Sequence, residues 1–137
     1  MIAKVFLSEV KNKHDKIIEE QETIQRLRDT LEMTGISYDR DYVQTSPNLD
    51  KMASTFSKIF EHEDYLEELK KEYAKLRILV IDMISRLDVE NHRKILNYVY
   101  IDYLSLKHTA NKMGYSYDYI REIHTKALEE FNEKFPQ

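Results

Sequence analysis

The chain has 137 residues, enough for one domain or for a small domain carrying a helical extension. Hydrophobic residues make up 42% and charged residues 34%, with only two Gly and two Pro, so breakers are too scarce for a turn-rich β fold and long helices are expected. The absence of Cys excludes a disulfide framework, a thiolate metal site and a cysteine nucleophile, and a net charge of −4 does not favour a nucleic-acid binder.

The opening run MIAKVFLSEVKNKHDK lacks the apolar core of a secretory signal. No apolar run reaches the roughly 18 residues needed to span a bilayer, so a soluble, cytoplasmic chain without a membrane partner is expected. From about Ala3 to Thr34 the pattern is helical, with Leu7, Val10, Ile17, Ile24 and Leu31 on a seven-residue repeat. His14, Gln21 and Arg28 fill the alternate seam positions, and a seam interrupted by polar residues favours a specific partner helix. Gly35 falls where a helix C-terminal cap is expected. The stretch GISYDRDYVQTSPN, residues 35–48, is the least helical and reads as a linker, with Pro47 steering Ser46 away from helical dihedrals. Tyr38, Tyr42 and Val43 would pin it to a helix surface, while Asp39 and Asp41 have no metal-site spacing.

A long helix is expected from Leu49 to about Leu87. Leu49, Met52, Phe56 and Ile59 open its stripe, and Leu66, Leu69, Tyr73, Leu76, Val80, Met83 and Leu87 continue it by threes and fours, the repeat of a left-handed coiled coil. Between Leu79 and Ile84 the apolar residues spread beyond one stripe, which predicts a second buried face, either a dimer contact or a junction. The first helix could fold back antiparallel along this one or pair with another copy.

Residues Val89 to Asp102 supply Ile95, Leu96, Val99 and Tyr100 at helical spacing, and Tyr103-Leu104-Ser105 makes a turn with Ser105 capping the next helix. The stretch from Ser105 to Leu128 then reads as two helices about a tight turn. Ala110 is small enough for a close helix crossing, Gly114 is free to take positive φ, and Ser116 is a good N-cap. Met113, Tyr115, Ile120 and Ile123 would form one buried face across both helices, joined by Ala127 and Leu128. This is the sequence form of a helix-turn-helix, whose second helix enters the DNA major groove. Sorting that helix by phase leaves Tyr117, Asp118, Arg121, Glu122 and Thr125 outward as candidate base contacts. Arg121 suits a bidentate guanine contact, Asp118 or Glu122 a cytosine amino group, and Tyr117 a thymine methyl or a phosphate. Lys107, Lys112 and Lys126 are candidate phosphate contacts. From Asp88 onward there are seven Lys/Arg against eight Asp/Glu, 7 − 8 = −1, so a single copy would hold DNA weakly and a homodimer or RNA polymerase would supply the remaining affinity.

The run YIDYLSLKHTANKMGYSYDYIREIHTKALEEF closely resembles the C-terminal helix-turn-helix of ArpU/RinA-type phage transcriptional regulators and, more distantly, the sigma-factor domain that reads the upstream promoter element. The shared pattern is a Tyr-rich first helix, L-x-x-x-A at Leu106 to Ala110, G-x-S at Gly114 to Ser116, and x-x-A-L ending at Leu128. DYVQTSPN and the long helix after it are similar to the preceding region of the phage proteins, so the resemblance spans about residues 41–131 and is strongest from Tyr98. It implies a prophage regulator of transcription with base-contacting positions at Tyr117, Asp118, Arg121 and Glu122. The chain departs from the pattern at Thr109, where the family carries a branched apolar residue, and at Tyr117, which replaces a cation common in sigma factors.

The five His form no ligand pair of the H-E-x-x-H kind, and there is no Gly-rich phosphate cradle, so neither an enzyme nor a cofactor is expected. The expected architecture is all-α: a long helical hairpin or coiled coil over 1–87, with its linker at 35–48, and a three-helix DNA-binding module over 88–137. The expected function is sequence-specific binding of double-stranded DNA by a dimeric transcription regulator. A small phage packaging subunit, or a factor that binds a host regulator or RNA polymerase, are the alternatives.

Overall fold

The computed structural model describes residues 2–34 and 49–136, with side chains from 53 onward in the second stretch. The linker 35–48, with Gly35 and Pro47, and the stripe positions Leu49 and Met52 lie outside the described side chains. All regular structure among the described residues is helical: α1 (Ile2–Met33), α2 (Leu49–Ser85), α3 (Glu90–Leu96) running into a π-helical stretch (Asn97–Ile101), α4 (Leu106–Met113) and α5 (Tyr117–Lys134). The residues fall into two compact units, one made of 1–14 with 73–137 and the other of 15–72.

In the 15–72 unit, α1 and α2 residues pair antiparallel. Leu31 packs with Phe56 and Ile59, and earlier in α1 the Arg28 guanidinium donates to Glu63 at 2.7 Å. His62 bonds Glu20 across the same pair. Ile17 and Ile24 are buried with Leu31, as the seven-residue repeat predicts. The polar seam residue Arg28 therefore has a matched partner in α2 of its own chain, which holds register where an apolar pair would tolerate a slip.

In the other unit a single core joins Ala3, Leu7 and Val10 of α1 to Val80, Ile84 and Leu87 of the α2 end, to Leu96, Tyr100 and Ile101, and to Ala127, Leu128 and Phe131 of α5. The seam residue His14 lies against two aromatic rings in tilted geometry, its ring centroid 5.6 Å from that of Tyr73 and 5.0 Å from that of Tyr103. Among the described residues no second face is covered near Leu79: Ile78, Leu79 and Ile81 stand exposed, while Val80 and Ile84 are fully buried in the core shared with α5.

The segment expected as one helix over Val89 to Asp102 changes pitch at Asn97, where Asp102 N–H donates to Asn97 C=O at 2.9 Å. The wider turn lets the consecutive residues Tyr100 and Ile101 both reach the core. It closes through Tyr103 at φ 60°, an unusual dihedral for an aromatic residue, with Leu104 N–H donating to Tyr98 C=O at 2.8 Å. Side chains hold that backbone in place. The Tyr103 hydroxyl lies 2.7 Å from that of Tyr73, and Arg77 donates to the Ile101 carbonyl at 2.9 Å, satisfying an acceptor that the helix end leaves open.

The start of α3 is closed from outside. Its N-cap, Val89, has no side chain able to accept from the first amides. Glu130 of α5 takes that place: one carboxylate oxygen accepts from Asp88 N–H at 2.7 Å and the other meets His92 Nδ1 at 2.8 Å. Burial pushes the Glu130 carboxyl up, but the amides of Asp88 and Val89 and the His92 ring outweigh it and hold it below the usual carboxylate range. Lys134 adds a 3.1 Å contact to Asp88.

Candidate nucleic-acid interface

Two serines and one glycine set the geometry of α4 and α5. Ser105 caps α4 by accepting from His108 N–H at 3.1 Å, and Ser116 caps α5 by accepting from Tyr119 N–H at 3.2 Å. Between the helices Gly114 takes φ 76° and ψ 29°, and Tyr115 N–H donates to Ala110 C=O at 3.0 Å. That left-handed residue with its returning amide is the usual glycine termination of a helix. A small core of Ile95, Ala110 and Ile120, lined by Leu106, Met113 and Ile123, fastens α4 and α5 to α3.

Thr109 is fully buried, and its hydroxyl donates to the Ser105 carbonyl at 2.9 Å. A hydroxyl satisfied by its own helix can occupy a site shaped for a branched apolar side chain. Tyr115, expected in the buried face, is instead exposed and lies 4.9 Å from the Tyr119 ring. It precedes the α5 N-cap and so escapes the phase of both helices.

Along α5, Ile120, Ala127, Leu128 and Phe131 are buried. Half-buried His124 stacks on Tyr100, whose hydroxyl lies 2.9 Å from His124 Nε2. Burial pushes Tyr100 up to about 12, and burial followed by the charge of Lys4 lowers His124, so at neutral pH the contact joins a neutral phenol and a neutral ring.

Asp118, Arg121, Glu122 and Thr125 on the other side of α5, and Tyr117 at its first position, are all exposed. They form a braced set. The Arg121 guanidinium lies 5.6 Å from the Tyr117 ring centroid and 4.0 Å from an Asp118 oxygen. Thr125 donates to the Arg121 carbonyl at 3.2 Å, and Lys126 sits 3.5 Å from Glu122. Lys107 and Lys112 are exposed on α4, with the Lys112 ammonium 4.9 Å from the Tyr98 ring centroid. These pairings went unread in the sequence, although Tyr117 with Arg121 and Glu122 with Lys126 carry the i, i+4 spacing that brings side chains together on a helix.

Chemically, the face offers one forked donor, two carboxylate acceptors, a hydroxyl and an aromatic ring on a single helix start. An open cleft of about 440 Å³, lined by Ser8, Lys11, Asn12, Val99, Tyr100, Tyr103, Leu104 and Ser105, contains none of these residues. Among the described residues no group of three His, Asp or Glu could hold a metal ion, and no helix is long and apolar enough to cross a membrane. Comparison with protein-family models, curated proteins and solved structures finds no match.

Proposed function

We propose that this chain binds duplex DNA through α5 and regulates transcription, in the manner of the ArpU/RinA-type phage regulators that its C-terminal sequence resembles. In this reading α3, α4 and α5 form a three-helix DNA-binding module with α5 as the recognition helix, and the paired α1 and α2 segments serve dimerisation or present a surface to RNA polymerase. The observation that carries it is the division of α5: its core-facing residues are buried, whereas every residue at the phase expected to read bases is exposed. The N-terminal turns of a recognition helix are the part that meets base edges. Arg121, already extended along the Tyr117 ring, supplies the guanine contact, and Asp118 and Glu122 accept from cytosine amino groups.

The same carboxylates make phosphate attraction weak. With Lys107, Lys112 and Lys126 as the phosphate contacts, a dimer neutralises six phosphates and its binding constant falls with salt at a log–log slope of about −5. A two-fold dimer reads a pseudo-palindrome with half-sites one helical turn apart. Selection of random duplexes at low salt, followed by footprinting, tests the reading. Enrichment of one sequence, with Arg121→Ala weakening it about tenfold or more at a single base pair, is the expected result. No enrichment at low salt overturns it.

A second reading rests on the engagement of Arg121 and Lys126 with carboxylates of their own helix. There the exposed face of α5 binds a protein of the transcription machinery, and RNA polymerase is retained by the full chain in the absence of DNA.

A further inference from the structure

A second seam runs along α2, on the side away from its buried residues. Ala74, Ile78, Ile81 and Ser85 follow one another at steps of four, three and four, and all are exposed, Ile78 at 68% and Ile81 at 41%. That spacing is the repeat by which one helix packs along another. Its flank carries two charges in equivalent places: Lys75 directly follows Ala74, and Asp82 directly follows Ile81.

We propose that a second copy of this chain docks antiparallel on this face. Under a two-fold axis Ile78 meets the partner's Ile81, Ala74 meets the partner's Ser85, and Lys75 meets the partner's Asp82, each contact being made twice. The small residues at the two ends of the seam let the helix axes approach closely. Charge selects the occupant. An unrelated partner would require no relation between Lys75 and Asp82, whereas a second copy requires opposite signs there, and the sequence has them. Asp82 also accepts from Arg86 at 3.1 Å, but an exposed pair within one helix is weak, and a carboxylate has lone pairs for both donors. No residue of α5 takes part, so this inference stands or falls independently of DNA binding.

Sedimentation equilibrium of the full chain, with circular dichroism to verify folding, is the test. The wild type is expected at twice the chain mass at micromolar concentration. Ile78→Glu places two carboxylates in the seam and weakens association about a hundredfold or more. Lys75→Glu and Asp82→Lys each weaken it about tenfold, and the two together return it to within about threefold of wild type. Because the chain has no Cys, mixing Ile78→Cys chains with Ile81→Cys chains gives a clean mixed disulfide, formed faster than either like pair. A monomer at every concentration, a dimer unaffected by Ile78→Glu, or charge reversals that do not rescue one another each overturn the proposal.

Discussion

Replacing Glu130 by Ala removes the clamp that closes α3 from α5. The carboxylate bridges the Asp88 amide at 2.7 Å and His92 at 2.8 Å, and hydrogen bonds to a charged group contribute about 1.5–3 kcal/mol each. The bonds are not equal once the side chain is gone. Asp88 is exposed and water can take over its amide, whereas the His92 and Glu130 side chains are only 12% and 17% exposed, so that pair is lost without replacement. The expected cost at pH 7 is therefore about 2 kcal/mol, nearer one full charged bond than two. Its pH dependence follows from the depressed Glu130 carboxyl. A carboxyl with a lowered folded-state pKa contributes stability above its unfolded value and loses it as pH falls through the folded one. The gap between wild type and Glu130→Ala should thus be widest near neutrality and close on acidification below the ordinary carboxylate range. Urea denaturation followed by circular dichroism at a series of pH values measures both. A variant within about 0.5 kcal/mol of wild type at pH 7, or a gap that persists in acid, would refute the clamp.

Gly114→Ala should cost about 1 kcal/mol, because an added Cβ meets nothing within 4 Å and only the left-handed backbone at φ 76° resists it. A loss of several kcal/mol would mean that the turn is packed on that side. Ile84→Ala, at a position with no exposure in the larger core, should cost about 3–4 kcal/mol through lost burial and the cavity left behind. Thermal and chemical denaturation both report it, and a loss below about 1 kcal/mol would place Ile84 outside the core.

What could be read in the sequence was local or periodic. Leu7, Val10, Ile17, Ile24 and Leu31 are buried because a seven-residue repeat dictates one stripe whatever covers it. Ser105 and Ser116 could be recognised as caps because each hydroxyl reaches an amide only three residues on. Long-range polar contacts left no such trace. Glu130 lies among Glu129 and Glu133 on a charged helix, and nothing in that run singles out the one carboxylate that turns toward residues about forty positions earlier. The π-helical NYVYI carries no residue signature either, since its extra residue per turn is imposed by the packing of Tyr100 and Ile101. Tyr103 is a poor choice for positive φ on propensity alone, and its conformation depends on Tyr73 and His14, which arrive from two other helices. The α5 face was legible in position, yet the bracing of Arg121 by Tyr117 emerged only with side-chain geometry.

Ala3, Leu7 and Val10 share their core with Ala127, Leu128 and Phe131, so this part of α1 waits for α5. On a ribosome the core face of Ala3, Leu7 and Val10 stays incomplete until α5 leaves the exit tunnel, and this unit can mature only after that. A premature stop ahead of Ala127 would strand Leu7, Val80 and Ile84 in water, turning an unfinished copy into a substrate for chaperones and proteases instead of a partly working product.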